Sequence, residues 1–196
     1  MGYNRNYRFK LKYDYASWID QILKGQYDDQ QWTAYIITFM YNHIPGTIEH
    51  RFSVMENEID RMYGTLVRHV LHGSRSPAQR KKLPRLHAFP DDAPDVTINN
   101  GLHYHGIVLI PAGTRLQVGL DAYINDERNY RHFVKVGGPL RRIHILPIDR
   151  TPQQAVSYAF KASELRIPDS NRMLILPKAL SELPDRIKRS NPQRVR

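Results

Sequence analysis

The sequence contains no cysteine, which excludes disulfide bonds and thiolate metal sites. It also contains no apolar run approaching the ~18–20 residues that a transmembrane helix needs. The basic and aromatic start, residues 1–15, lacks the apolar core of a signal peptide. We therefore expect a cytoplasmic protein with no membrane partner, in which any metal ion is held by His, Asp, Glu or Gln side chains.

Positive charge is in excess along the chain. Lysine and arginine number 29 against 19 acidic residues, for a formal net charge of +10. The segment 75–85 has five basic residues and no acid, and the tail from Asp185 has five basic residues against one acid. Such an excess favours a polyanionic partner, nucleic acid above all, although a solvated basic surface is the simpler alternative. We expect Arg80, Lys81 and Lys82 to contact DNA.

The spacing of apolar residues predicts one α+β domain built around a sheet. Apolar residues at i, i+3, i+4 and i+7 predict a helix from Phe52 to Leu71. Further helices are expected at 17–24, around 120–124 and after 151, and strands at 33–41, 86–89, 101–110 and 141–148, with a strand-like MLIL near 173–176. We divide the chain into an N-terminal arm with a short helix, a main domain and a basic tail, with bounds at 1–30, 31–168 and 169–196.

Two histidines stand in a near-continuous apolar run, GLHYHGIVLI at 101–110. Such a run, closed by Pro111, predicts a central strand covered on both faces. In a strand, His103 and His105 point to the same face about 7 Å apart along the chain, so both rings can reach one metal ion. Burying two imidazoles is unfavourable unless a ligand or hydrogen bonds satisfy them. The pattern favours a metal site, with hydrogen bonding of both rings as the structural alternative.

A tyrosine and a lysine share one face of the helix that begins at TPQQ, residues 151–154. Thr at the N-cap, Pro at the first position and Gln at the third form a well-marked helix start. Tyr158 and Lys161 are i and i+3 in this helix. A free phenol, with a pKa of about 10, is a poor nucleophile, and a neighbouring ammonium favours its phenolate and can hold a phosphate. When the pair is considered alone, an ordinary amphipathic helix is the favoured explanation, because Tyr and Lys are common residues.

The segments ITF at 37–39, LHYHGIVLI and YAFK resemble, in this order, the three motifs of HUH-superfamily endonucleases. In that family the first motif ends the opening strand, the second is His-hydrophobic-His on the central strand, and the third is Tyr-x-x-Lys on a helix. His103 and His105 match the second motif, and Tyr158 and Lys161 match the third. A single tyrosine that follows the histidines is typical of replication initiators and HUH transposases, whereas relaxases generally place the tyrosine first.

The resemblance implies a fold and a reaction. The fold is a central antiparallel sheet of about five strands with helices packed on it, in β-α-β-β-α-β-α order, and residues 31–168 are its nuclease domain. In the reaction, Tyr158 attacks single-stranded DNA to leave a 3′-OH and a 5′-phosphotyrosine, and Lys161 stabilises the charge. A divalent ion, Mn²⁺ or Mg²⁺, is held by His103 and His105. Thr38, in the first motif, is expected to contact the DNA.

Two histidines rarely complete a metal site, so a third ligand is expected. His87 on the neighbouring strand is the first choice, with His144 and Glu164 as alternatives. The implied DNA partner is an origin hairpin of a plasmid or phage. No GxxxxGK[ST] motif occurs, so unwinding is expected from a host helicase and the host replication machinery. A transposase with the same chemistry and a non-catalytic basic nucleic-acid-binding protein are the alternative functions.

Overall fold

The computed structural model describes residues 5–24, 31–70, 83–92, 98–114, 116, 119–148, 154 and 172–178. At its centre lies an open, five-stranded antiparallel sheet with the strand order β4-β1-β3-β2-β5. The strands are β1 (Trp32–Tyr41), β2 (Arg85–Asp92), β3 (Leu102–Pro111), β4 (Leu140–Pro147) and β5 (Leu174–Leu176). The α+β class and the five-stranded antiparallel sheet are therefore confirmed, and the HxH strand, β3, is central as expected.

Four helices can be traced beside the sheet within the described residues: α1 (Arg5–Leu23), α2 (Ile48–Val70), α3 (Leu120–Asn125) and α4 (Glu127–Phe133). A short 3₁₀ turn at Ile98–Gly101 leads into β3. The helix predicted from Phe52 is α2, and it begins four residues earlier. The ambiguous segment around 120 contains α3 and α4, separated by Asp126, whose carboxylate accepts a hydrogen bond from the Arg128 amide as the N-cap of α4. No described helix is both long and apolar enough to cross a membrane.

One face of the sheet, here called the closed face, carries the main hydrophobic core. Side chains alternate between faces along a strand, so the closed face takes every second residue of β1 and β3. Ile37, Phe39 and Tyr104 lie on it and are fully buried. They pack in one cluster with apolar residues of α2, α3 and α4, among them Met55, Ile59, Met62, Leu120, Ile124 and Phe133. The apolar stripe that the helical period produces on α2 thus covers this face.

On the opposite face, here called the open face, α1 covers one half. Ile19 and Ile22 of α1 pack there with Trp32, Ile107 and Leu109 in a second apolar cluster. At the other half, near the end of β1 and the start of β3, the described residues leave side chains of β1 and β4 in contact with solvent, including Met40, Arg142, His144 and Leu146. His103 and His105 lie in this half.

The sheet extends past residue 168, the predicted end of the nuclease domain. β5 pairs with β2 through Leu86↔Leu176 and lies within the segment assigned to the basic tail. Flanking side chains attach it to α2, because Arg172 contacts Glu56 at 3.4 Å and Lys178 contacts Asp60 at 2.5 Å. The first residues of the predicted tail thus contribute an edge strand.

Candidate metal centre

The register of three strands brings His103, His105 and one acidic residue together on the open face. His105 is paired with Thr38 of β1 on one side and with Phe89 of β2 on the other. Two residues along, His103 is paired with Asp91 of β2. Cross-strand partners share a face, so the Asp91 carboxylate projects beside the two imidazoles.

The ligand atoms of these residues form a nearly equilateral triangle. The Nε2 atoms of His103 and His105 are 3.0 Å apart, and Oδ2 of Asp91 lies 3.4 Å from the first and 3.1 Å from the second. Within the described part of the chain this is the group of His and acidic side chains that could hold a metal ion. Two neutral imidazoles and one carboxylate suit first-row divalent ions.

The size of the triangle fits a divalent ion. A triangle with these sides has a circumradius of about 1.8 Å, slightly shorter than the ~2.0–2.2 Å bonds between such ions and nitrogen or oxygen ligands. All three ligand atoms could therefore reach one ion at ordinary bond lengths. The described residues supply three ligands, and catalytic sites commonly combine three protein ligands with water or substrate.

The loop before β3 sets the orientation of His103. The Nδ1–H of His103 donates to the carbonyl oxygen of Gly101 at 2.7 Å, and a carbonyl can only accept. In the neutral ring, Nε2 therefore carries the lone pair that faces the triangle. Gly101 has a φ of 83°, which glycine adopts without strain, and Asn99 beside it has a φ of 56°. The buried Asn99 side chain accepts a hydrogen bond from the Ile44 amide at 2.7 Å, which ties this loop to the end of β1.

A hydroxyl on β1 holds His105. Thr38 Oγ1 lies 2.9 Å from Nδ1 of His105, and both side chains are buried. When Nε2 of His105 carries a lone pair toward a metal, Nδ1 carries the proton and donates it to Thr38. The structure therefore places Thr38 behind a metal ligand, where it orients the ring. It was singled out from the sequence for DNA contact, and its hydroxyl has a different partner here.

The centre is accessible from one side. The side chains of His105 and Asp91 are 7% and 11% exposed, while that of His103 is 20% exposed. A buried carboxylate beside two imidazoles is unfavourable without protons or a cation to balance it. The negative charge of Asp91 would offset part of the charge of a cation at the triangle. Substrate would approach from the side of His103, the most exposed of the three side chains.

His87, the expected third ligand, does not join the group. It faces the same side of the sheet as Asp91, but it is four positions earlier in β2, which places it about 13 Å away along the strand. Its ring packs beneath α1, with centroids 5.3 Å from Tyr15 and 5.1 Å from Trp18. Burial, and secondarily the positive charge of Arg85, lower the pKa of His87 to about 4. Asp91 takes the place that was expected for His87.

The alternative third ligands differ in what the structure shows. His144 is exposed on β4 and lies one strand beyond Thr38, its paired residue, so β1 separates it from His105. Glu164, the nucleophile candidate Tyr158 and its neighbour Lys161 lie outside the described residues. So do the basic residues Arg80, Lys81 and Lys82. Of the predicted late helix the structure describes Gln154, which is helical and exposed.

Sequence reasoning missed Asp91 because it ended β2 too early. The predicted strand stopped at Phe89, before Pro90, whereas β2 runs to Asp92. With the strand extended, the period of two puts His87, Phe89 and Asp91 on one face. That alternation was readable in the sequence, but the pairing of Asp91 with His103 depends on register.

No protein-family model matches the chain. Neither a curated protein nor a solved structure matches it.

Proposed function

We propose that this protein is a metal-dependent endonuclease that nicks and rejoins single-stranded DNA through a tyrosine. The observation that carries the proposal is the Asp91–His103–His105 triangle at the end of the central strands, accessible from one side. The net charge of +10 suits a polyanionic substrate. The tyrosine is Tyr158, assigned through the motif that it forms with Lys161.

The chain's own residues have distinct roles in the proposed reaction. The phenolate oxygen of Tyr158 attacks phosphorus, the bond from phosphorus to the 3′ oxygen breaks, and that oxygen takes up a proton to leave a 3′-OH. Lys161 stabilises the phenolate and the charge that develops on the phosphate. His103, His105 and Asp91 would hold a divalent ion, which supplies Lewis-acid polarisation of the phosphate. Imidazole ligands favour Mn²⁺ over Mg²⁺ for this purpose.

The reaction conserves the number of phosphodiester bonds. The new ester between Tyr158 and the 5′ phosphate replaces the ester that was broken, so attack by the 3′-OH on that phosphate restores the DNA and releases Tyr158. Rejoining therefore needs no nucleotide cofactor. Such an exchange suits the start and the end of rolling-circle replication, which is the biological role that we propose for it.

Capture of DNA on the protein tests the nucleophile. The full chain is incubated with Mn²⁺ and single-stranded oligonucleotides that contain a randomised segment. DNA that stays attached to the protein after denaturation is released by protease treatment and sequenced. We expect an adduct for wild type and none for Tyr158→Phe, which removes only the phenolic oxygen. The matched control is Tyr13→Phe, because Tyr13 is exposed on α1, and it should retain the adduct.

Two outcomes would contradict the proposal. An adduct that persists in Tyr158→Phe would exclude Tyr158 as the nucleophile. Binding of single-stranded DNA by wild type without any adduct, in Mn²⁺ or Mg²⁺, would instead favour the non-catalytic nucleic-acid-binding function.

Removal of one charge tests the metal centre. Asp91→Asn keeps the shape of the side chain but loses the charged ligand, so we expect Mn²⁺ affinity to fall by about 100-fold or more. Titration followed by electron paramagnetic resonance of free Mn²⁺ measures this. Asp20→Asn is the control, since Asp20 lies on α1 and contacts Lys24 at the surface. Unchanged Mn²⁺ affinity in Asp91→Asn would exclude Asp91 as a ligand.

A further inference from the structure

A cavity at the β4 edge of the sheet has a lining rich in positive charge. Its volume is about 490 Å³, and it lies between α4, the turn after α4 and the start of β4. Four of the eleven lining residues are cationic, and one, Glu127, is acidic. The cationic residues are Arg128, Arg131, Lys135 and Arg141.

Most of these cations have no acidic partner among the residues that the structure describes. Arg128 lies 3.7 Å from Asp126, but its side chain is 87% exposed, so the pair is weak. Arg131, Lys135 and Arg141 are exposed and form no ion pair with any residue that the structure describes. A concave surface with several unpaired cations concentrates anions, because the positive potentials of its walls add.

The walls of the cavity are held by backbone hydrogen bonds. The Gly138 amide donates to the Lys135 carbonyl at 3.0 Å and closes the turn, in which Gly137 has a φ of 71°. Asn42, just after β1, fastens the turn from the other side, since its side chain donates to the Gly138 carbonyl at 2.8 Å. Lys135 therefore projects from a hydrogen-bonded turn, while Arg128 and Arg131 project from α4 and Arg141 from β4.

Tyr130 adds an aromatic ring to the lining. It is partly exposed and lies among the cationic residues on α4. Cations that contact phosphates, together with aromatic rings on which bases stack, are the two elements of single-strand binding that does not depend on sequence. A site for a small anion needs only the cations, so the ring favours a nucleic-acid strand.

The cavity is at the same end of the sheet as the metal centre. Thr38, which contacts His105, is two residues from Met40, and Met40 is paired with Arg142 of β4. Two strand spacings, about 10 Å, separate β4 from β3. Because α4 packs on the closed face, the cavity adjoins that face at the β4 edge, whereas the metal centre lies on the open face.

We infer that this cavity binds the phosphodiester backbone of single-stranded DNA at a position separate from the metal centre. The inference rests on the proposed function for its substrate, but it concerns binding without metal or cleavage. The two can therefore be tested separately.

Salt dependence of binding is the decisive measurement. Fluorescence anisotropy with a labelled single-stranded oligonucleotide, in excess EDTA, gives the affinity at several salt concentrations for the full-length chain. The variant Arg131→Ala/Lys135→Ala removes two cations, so the slope of log affinity against log salt should become shallower by about 1.4. At 0.1 M salt this corresponds to a loss of roughly 20-fold in affinity.

Two control variants distinguish an effect of the cavity from an effect of the lower net charge and from a loss of folding. Lys24→Ala/Arg68→Ala removes the same charge from exposed sites on α1 and α2 outside the cavity lining, and should change the slope by much less. Arg131→Lys/Lys135→Arg keeps the charge at the cavity and should bind as wild type does. Thermal unfolding of each variant should be unchanged, because all four positions are exposed.

The outcomes are distinguishable from those of the nicking experiment. Equal losses in the two alanine variants, or no loss in the cavity variant, would overturn the inference even if the wild type forms an adduct. A loss confined to the cavity variant would support it even if no adduct is ever found, because the readout contains no metal. Failure of the wild type to bind single-stranded DNA would overturn it as well.

Discussion

The closed and open faces of the sheet use the same strands for different purposes. On the closed face, adjacent buried residues such as Ile37, Phe39 and Tyr104 continue without interruption into the helices that cover them. On the open face, the same strands carry apolar residues under α1 and then, toward one end, Thr38 and the metal-centre residues. Among the described residues, the larger apolar core lies on the closed face, whereas the open face carries polar groups toward one end that packing alone would not select.

Neighbouring residues of β1 provide the largest expected difference between the faces. Phe39 is fully buried on the closed face, whereas Met40 is 36% exposed on the open face. Phe39→Ala should lower the free energy of unfolding by about 3–5 kcal/mol, since it leaves a cavity in the main core. Met40→Ala should lower it by about 1 kcal/mol or less. Urea unfolding followed by circular dichroism measures both, and equal values would contradict the division between the faces.

Acid should destabilise the half of the open face beneath α1. The pKa of His87, lowered by burial to about 4, lies below its value of about 6.5 in an unfolded chain. Between these values the unfolded state binds the additional proton, so stability falls as the pH falls from about 6.5 to 4 and is level below that. The loss due to His87 should be about 3 kcal/mol.

The variant His87→Phe isolates this contribution. A phenyl ring suits the site between Tyr15 and Trp18 and cannot bind a proton, so the loss between pH 7 and 4 should shrink by about 3 kcal/mol. His50→Phe, at an exposed position of α2, is the matched control. The same His87→Phe variant should bind Mn²⁺ as wild type does, and a large loss of Mn²⁺ affinity would return His87 to the ligand set.

The smallest expected effect concerns the residue behind the metal centre. Thr38→Val has nearly the same shape but lacks the hydroxyl that His105 contacts, so Mn²⁺ affinity should fall by about 10- to 100-fold. Thr38→Ser keeps the hydroxyl and should retain most of the affinity. Measuring the thermal midpoint without metal separates this effect from loss of fold. If the valine variant binds Mn²⁺ normally, the hydroxyl does not orient the ring.

Much of the fold could be predicted because its elements have strong local patterns. The apolar run of β3 and the helical period of α2 each depend on nearby residues and on the need to bury one face or both. The first helix was predicted at 17–24 but extends over Arg5–Leu23, because a stretch with weak apolar periodicity carries little signal for its start. The strand-like MLIL became β5, although its place beside β2 was not readable.

The candidate site was only partly predictable. His103 and His105 share a face by the geometry of any strand, so two of the three ligand positions followed from the sequence. Asp91 and His87 are both candidates for the third ligand position. They lie on the same face of the same strand, so the local sequence pattern does not distinguish them. The difference between them lies in register, because Asp91 is paired with His103 whereas His87 is paired with Ile107.

The sequence by itself determined the class of fold, the central strand and the face that its two histidines share, since each of these follows from the spacing of side chains along one segment. The tertiary structure alone decided which acidic group meets those histidines and which histidine is covered by α1. It also placed the cations of the β4 edge around one cavity. The physical reason is that these outcomes depend on strand order and register, which arise from packing between segments distant in the chain.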